Sequence, residues 1–198
     1  MPKLSDEVRE QRRTHVLVSA WKCFSRDGFH ATSMDQIIAE TGMSPNAVYR
    51  YFRGKEELID AAADQALATL RETLVGVESA DPPPSPPEAL ELLAEGLRRQ
   101  SEAPGYDMTK ISIVAWGEAL RRPELHDRAV RFYGEALEFF TRLARRWQDT
   151  GVIHGGADPV AVAKVFITLM PGMMVTRHLS EPATAAELAA GIVAIAGS

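Results

Sequence analysis

The stretch SMDQIIAETGMSPNAVYRYFRGK, residues 33–55, decides the fold. Ser33-Met-Asp-Gln36 is a capping box, in which the serine oxygen accepts a free amide of the first turn and the glutamine side chain reaches back. Ile37, Ile38 and Ala39 follow, and Thr41-Gly42 stops this helix about two turns in. Ser44-Pro45 starts another at once, with serine as N-cap and proline at the first helical position, where its missing N–H costs nothing. Two short helices joined by the tight turn Gly42-Met43-Ser44 make a helix-turn-helix over residues 33–52.

Working outward, residues 8–27 space Val16, Leu17, Ala20 and Phe24 as one apolar stripe, a helix that Asp27-Gly28 ends. Ile37, Ile38, Val48 and Phe52 can pack against that stripe, burying one side of helix 45–52 and projecting the other. The projecting side carries Pro45, Asn46, Tyr49 and Arg50, with Lys55 just beyond. Such a helix fits the major groove of DNA, its first residues at base edges. Tyrosine hydroxyls and lysine then fasten phosphates, which sets register without reading sequence. Phe52 reads as core. Tyr49 and Tyr51 read as phosphate contacts, with core packing as the alternative. Arg50 reads as a base or phosphate contact, with a solvated charge as the alternative. Cys23 reads as a small buried filler.

The pattern Gly28-Phe-x-x-Thr-Ser-Met-x-x-Ile-x-x-x-x-Gly-Met-Ser-x-x-x-Val-Tyr-x-Tyr-Phe-x-x-Lys-Glu-Glu-Leu58 resembles the signature of the TetR (tetracycline-repressor-like) family of bacterial regulators. The resemblance covers roughly residues 10–70. It implies that Ser33, Tyr49, Tyr51 and Lys55 contact phosphates, and that Ser44, Pro45, Asn46 and Arg50 lie at or near the bases. Ile38 departs from the family pattern, which usually has alanine at this close helix–helix approach.

Further along, Lys55-Glu56-Glu57 opens a long amphipathic run to about Val77. Asp81-Pro-Pro-Pro-Ser-Pro-Pro87 cannot be helical and reads as a stiff connector; its prolines, 82–87, could alternatively be a ligand for a partner's groove. Ser85-Pro-Pro-Glu88 is a second capping box, predicting a helix over about 86–102. Four more are expected near 107–121, 123–150, 158–178 and 184–197, started by Arg122-Pro123, Asp158-Pro159 and Thr184-x-x-Glu187. The fold class is therefore all-α, about nine helices, with a DNA-binding domain at 1–70 and a helical effector-binding and dimerisation domain at 71–198.

The chain has 198 residues, 45% hydrophobic and 25% charged, which is ordinary globular composition. No apolar stretch is seen to approach the roughly 20 residues of a membrane helix, and the first ten residues lack a signal peptide's apolar core, so a cytoplasmic protein is expected. One cysteine excludes an intramolecular disulfide and a cysteine-rich zinc site. The net charge of −5 is uneven: residues 1–55 hold nine Lys/Arg against six Asp/Glu, +3, and the remainder holds 13 against 21, −8. A basic head on an acidic body suits a polyanion-binding part joined to a part that binds something else.

Aromatic and methionine residues concentrate between Met108 and Met174. Most belong to a core. A cavity for a small apolar or amphipathic molecule is the sharper reading, with Trp116, Phe140, Met170 and Met174 as its walls. His126, His154 and His178 read as surface or cap residues rather than ligands. Helices 158–178 and 184–197 carry little charge and would be buried in the monomer or against a copy of themselves, with Pro171-Gly172 expected to kink the first. A homodimer built on them matches what the resemblance implies and would hold two heads about 34–36 Å apart on a palindromic operator.

The leading expectation is a ligand-responsive regulator, most simply a repressor released by its effector, with no metal or cofactor. A DNA-binding protein governed by a partner protein, without a small molecule, is the alternative. An all-α enzyme is the remote one: no His-Glu-x-x-His, Glu-x-x-His, Gly-x-Ser-x-Gly, Gly-x-Gly-x-x-Gly or phosphate-binding glycine loop occurs.

Overall fold

The computed structural model describes residues 6–80 and 82–196. Asp81, the first residue of the expected connector, and Gly197, the expected end of the last helix, lie outside the described residues. Among the described residues there are helices and turns and no strand: α1 Asp6–Ala31, α2 Met34–Thr41, α3 Pro45–Tyr49, α4 Lys55–Glu78, α5 Pro86–Ser101, α6 Met108–Ala119, α7 Pro123–Asp149, α8 Pro159–Leu179 and α9 Ala185–Ala196.

Local sequence accounts for most boundaries. Regular α1 geometry breaks at Gly28, whose φ of 77° is a left-handed value that a residue with a side chain adopts at a cost, and one more turn follows. Ser33 Oγ accepts from the Gln36 amide at 3.2 Å while Gln36 Oε1 accepts from the Ser33 amide at 2.7 Å. Gly42 ends α2 at φ 64°. Glu88 Oε2 accepts from both the amide and the hydroxyl of Ser85 at 2.7 Å, and these bonds hold its carboxyl below the usual range.

Two apolar clusters organise the packing. The first joins Val16, Leu17, Ala20 and Phe24 of α1 to Ile37, Ile38, Val48, Phe52 and Leu58, the three-helix head read from the sequence. Ile38 fits there with little exposure, so the departure from alanine is absorbed at the α1–α2 contact. Cys23 is fully buried, and desolvation pushes its thiol up. The same cluster takes in Met108, Ile111, Ala115 and Ala119 of α6, so the head's core extends into the second half of the chain. The second cluster starts at Leu70 and gathers α5, α7, α8 and Ala185. Helix α4 runs unbroken from one cluster to the other, through residue 70.

Two expectations need correction. Regular helix in the reading segment stops at Tyr49 rather than at residue 52, because the amides of Tyr51 and Phe52 both converge on the Val48 carbonyl, at 2.9 and 3.2 Å, as Phe52 turns into the core. Helix α8, with mean hydropathy 1.6 over its most apolar window, is long and apolar enough to cross a membrane by length and composition, contrary to the reading that no stretch approaches that length. Lys164 and Arg177 interrupt its apolar residues without lowering that average enough. Ala163, Phe166, Met170 and Met174 bury one face of α8, whereas Val160 and Val165 are exposed. The helix continues through Pro171.

The connector is built into the body: Pro84 is buried and its carbonyl accepts from Trp147 Nε1 at 2.7 Å.

Candidate nucleic-acid interface

The turn between α2 and α3 is fixed from both sides. Thr41 Oγ1 donates to the Ile38 carbonyl at 2.7 Å and accepts from the Met43 amide at 3.0 Å. His15 Nε2 lies 2.8 Å from the Thr41 carbonyl, which can only accept, so the ring nitrogen donates and pins α1 to the end of α2. Lys22 pairs with Glu40 at 3.4 Å across the same two helices. With Val48 fully buried beneath it, α3 has one orientation on this frame.

Ser44, Pro45, Asn46, Tyr49 and Arg50 then stand exposed together. Ser44 is N-cap by backbone geometry, but its hydroxyl makes no capping bond. None of the side chains of Asn46, Tyr49 and Arg50 has a hydrogen bond or ion pair among the described residues. Elsewhere the exposed arginines are commonly paired, as Arg98 is with Glu95 and Glu102. A polar surface without internal partners is free to exchange its water for another molecule's groups.

The remaining sequence-predicted contacts sit at the edges of this surface. Ser33 is exposed at the start of α2 with its oxygen already accepting from Gln36, which leaves its proton to donate. Tyr51 is half-buried against the head's core. Lys55 Nζ donates to the carbonyls of Thr32 at 2.9 Å and His30 at 3.4 Å, so the ammonium bridges the end of α1 to α4. Three N–H bonds on an ammonium leave one for an outside acceptor. The sequence reading assigned nothing to Arg12. A groove of about 470 Å³ lies between α1 and α3, and Gln11, Arg12 and His15 line it opposite Met43, Ser44 and Ala47. Arg13 lies over the Phe52 ring, 5.1 Å from its centroid. The helical spacing of Gln11, Arg12 and His15 was the available signal.

The four residues read as cavity walls fall within one apolar region, where Trp116 packs against the cluster holding Phe140, Met170 and Met174. Phe140 is fully buried and stacks on Phe166 at 5.0 Å and 21°. Met170 and Met174 are 4% and 0% exposed. Trp116 borders a void of about 20 Å³ between α4, α6 and α7, room for a water and nothing larger. Among the described residues no cluster of His, Cys, Asp and Glu could hold a metal ion. His126 and His154 are exposed, but His178 is half-buried and its Nε2 lies 2.9 Å from Thr109 Oγ1.

A short helix seated on a three-helix head, with an unpartnered polar and cationic outer face, defines a DNA-binding helix-turn-helix protein. The family model described as bacterial regulatory proteins of the tetR family matches residues 16–62, and that of the BetI-type transcriptional repressor C-terminal region matches residues 86–195. The chain belongs to the TetR family, and it is a DNA-binding transcriptional regulator. It is 26% identical over 189 residues to the HTH-type transcriptional regulator UidR of Escherichia coli (strain K12), covering 93% of this chain and 91% of the relative. It is 28% identical over 177 residues to the uncharacterized HTH-type transcriptional regulator YfiR of Bacillus subtilis (strain 168), covering 87% of this chain and 83% of that one. Its fold resembles that of a putative transcriptional regulator from Saccharomonospora viridis solved in complex with choline, with a TM-score of 0.72 at 18% identity over 89% of this chain and 90% of that chain.

Proposed function

We propose that the protein is a repressor that binds a palindromic operator as a homodimer and leaves it when a small molecule occupies the C-terminal body. In this reading residues 1–70 hold DNA and residues 71–198 sense and dimerise. The observation that carries it is the exposed, unpartnered set Ser44, Pro45, Asn46, Tyr49 and Arg50, flanked by Ser33, Tyr51 and Lys55. Asn46 and Arg50, with Ser44 and Pro45, meet the bases, and the other four hold phosphates.

Dimerisation has its own support. Val160, Val165 and Leu179 of α8 and Ile192 of α9 are 36%, 43%, 81% and 40% exposed, an apolar outer face that a second copy would cover. The effector acts by binding better to a state whose heads are wrongly spaced, and it can shift the equilibrium only by that difference in affinity. The core shared by α1, α4 and α6 supplies a path between the two parts, since α6 cannot move without disturbing the head.

Selection of bound fragments from the source genome tests this reading. Recovered fragments should share an inverted repeat whose half-sites lie about one helical turn apart, bound by two protomers. Recovery of fragments without an inverted repeat, or binding by single protomers, would contradict it.

A further inference from the structure

We infer that the cleft between α4, α5 and the turn leading into α6 binds a small protonated amine. The inference rests on the effector-controlled reading above and names the chemistry of the effector. The cleft holds about 430 Å³ and is lined by Gln65, Thr69, Glu72, Thr73, Gly96, Arg99, Gln100, Ala103, Tyr106 and Met108. Gly96 lets α5 come close to α4 here, since a Cβ at that position would collide with the Thr73 side chain.

Along this cleft the threonine hydroxyls and the Gln100 amide have used their donors and kept acceptors. Thr69 Oγ1 donates to the Gln65 carbonyl at 2.8 Å, and Thr73 Oγ1 donates to the Thr69 carbonyl at 3.2 Å. Gln65 Nε2 donates to Thr69 Oγ1 at 3.3 Å. Gln100 Nε2 donates to the Thr69 carbonyl at 3.3 Å and to Thr73 Oγ1 at 3.1 Å. Gln100 is only 6% exposed, and its Oε1 is buried with no partner among the described residues. A buried amide oxygen left unmatched is uncommon and asks for a donor.

Charge selects the kind of donor. The Glu72 carboxylate has no ion pair or hydrogen bond among the described residues, whereas Arg99 is engaged by Glu95 at 3.6 Å. Tyr106 lines the cleft with an aromatic ring, a group whose face attracts cations, and residues 56–198 carry a formal −8. An ammonium group therefore meets Glu72 for charge, Gln100 Oε1 for its N–H and Tyr106 for its alkyl flank. Occupancy bears directly on the DNA-binding head. The Tyr106 ring meets Trp21 of α1 edge-on at 5.4 Å, and the next residue, Asp107, donates its amide to Ser25 Oγ of α1 at 2.9 Å.

Calorimetric titration of the full chain with putrescine tests the inference, with choline (a cation without N–H) and xylitol (N–H-free and neutral) as comparison solutes. Putrescine should bind, and choline and xylitol should bind at least about tenfold more weakly. Glu72→Gln, an exposed change that leaves the fold intact, and Gln100→Leu should each weaken putrescine by about tenfold. No putrescine binding, equal binding of choline or xylitol, or affinity untouched by Glu72→Gln overturns the inference. Operator affinity measured on the same samples reports separately on the regulator. Putrescine bound in the cleft without loss of operator affinity supports the cleft and contradicts effector control, and absent operator binding contradicts the regulator alone.

Discussion

Arg122, the residue before α7, donates to Asp60 Oδ1 of α4 at 2.8 Å and to Glu56 Oε2 at 3.0 Å, so one guanidinium joins the body to the first turns of the helix that leaves the DNA-binding head. Arg128 repeats the arrangement two turns on, reaching Asp64 at 2.9 Å.

Arg122→Met should weaken this tie without touching the DNA-facing surface. The side chain is 25% exposed and its partners more so, which keeps the expected loss near about 1 kcal/mol, or roughly 2–4 °C in Tm. Differential scanning calorimetry at low and high salt checks it. The difference between the wild type and the variant should shrink as salt rises, and an identical Tm at low salt would remove the tie from the account.

Trp147→Phe removes the hydrogen-bond donor to the Pro84 carbonyl, the only one among the described residues, in a position 2% exposed. The expected cost is about 1–3 kcal/mol, measured by denaturant unfolding. A change below a few tenths would mean the connector is not held by this bond.

His178 is held neutral-leaning. Burial lowers its pKa, the like charges of Lys110 and Arg177 add to that, and Asp107, 3.7 Å away, opposes them. The folded value therefore lies below the unfolded one, and the unfolded state binds more protons in between. Stability should fall as pH drops through about 6.5 toward the lowered folded value, and the loss should be complete below it. His178→Gln should flatten the dependence between pH 7 and 5 in urea unfolding; an unchanged slope would assign it to other groups.

Tyr49→Phe and Asn46→Ala separate phosphate from base contact. Loss of the Tyr49 hydroxyl should weaken all DNA about equally, whereas Asn46→Ala should relax preference at one base position by about 1–3 kcal/mol. Anisotropy titrations against an operator and its single-base variants distinguish them, and the reverse pattern would exchange the two roles.

The local parts of this fold were legible in the sequence because their causes are local. Ser33 and Gln36, Ser85 and Glu88, and Gly42 each act within four residues, and each does in the structure what its spacing implies. The end of α3 was misread because Phe52 ends it by tertiary burial, which no N- or C-cap residue announces. The entry of Met108, Ile111 and Ala115 into the head's core was invisible for the same reason. On the interface, the exposure of Asn46, Tyr49 and Arg50 follows from helical spacing around Val48. The carbonyl partners of Lys55 come from residues more than twenty positions away, beyond any pattern in its neighbourhood. Composition does not tell a cavity wall from a close-packed core, and Phe140, Met170 and Met174, buried together in the second cluster, suit either role. The Gln100 cleft was not legible either, since its character lies in which hydrogen-bonding groups are already spent.

The central claim is that the head binds DNA, the outer face of α3 at the bases and several phosphates held around it, despite a chain charge of −5. The most direct test is the affinity for a selected operator fragment as a function of salt. Between 50 and 200 mM it should fall by about a thousandfold, with a slope that decreases by about one when a cationic phosphate contact is removed, as in Lys55→Ala, and is unchanged in Tyr49→Phe, which loses a neutral contact. An affinity that stays level across that range would contradict the account.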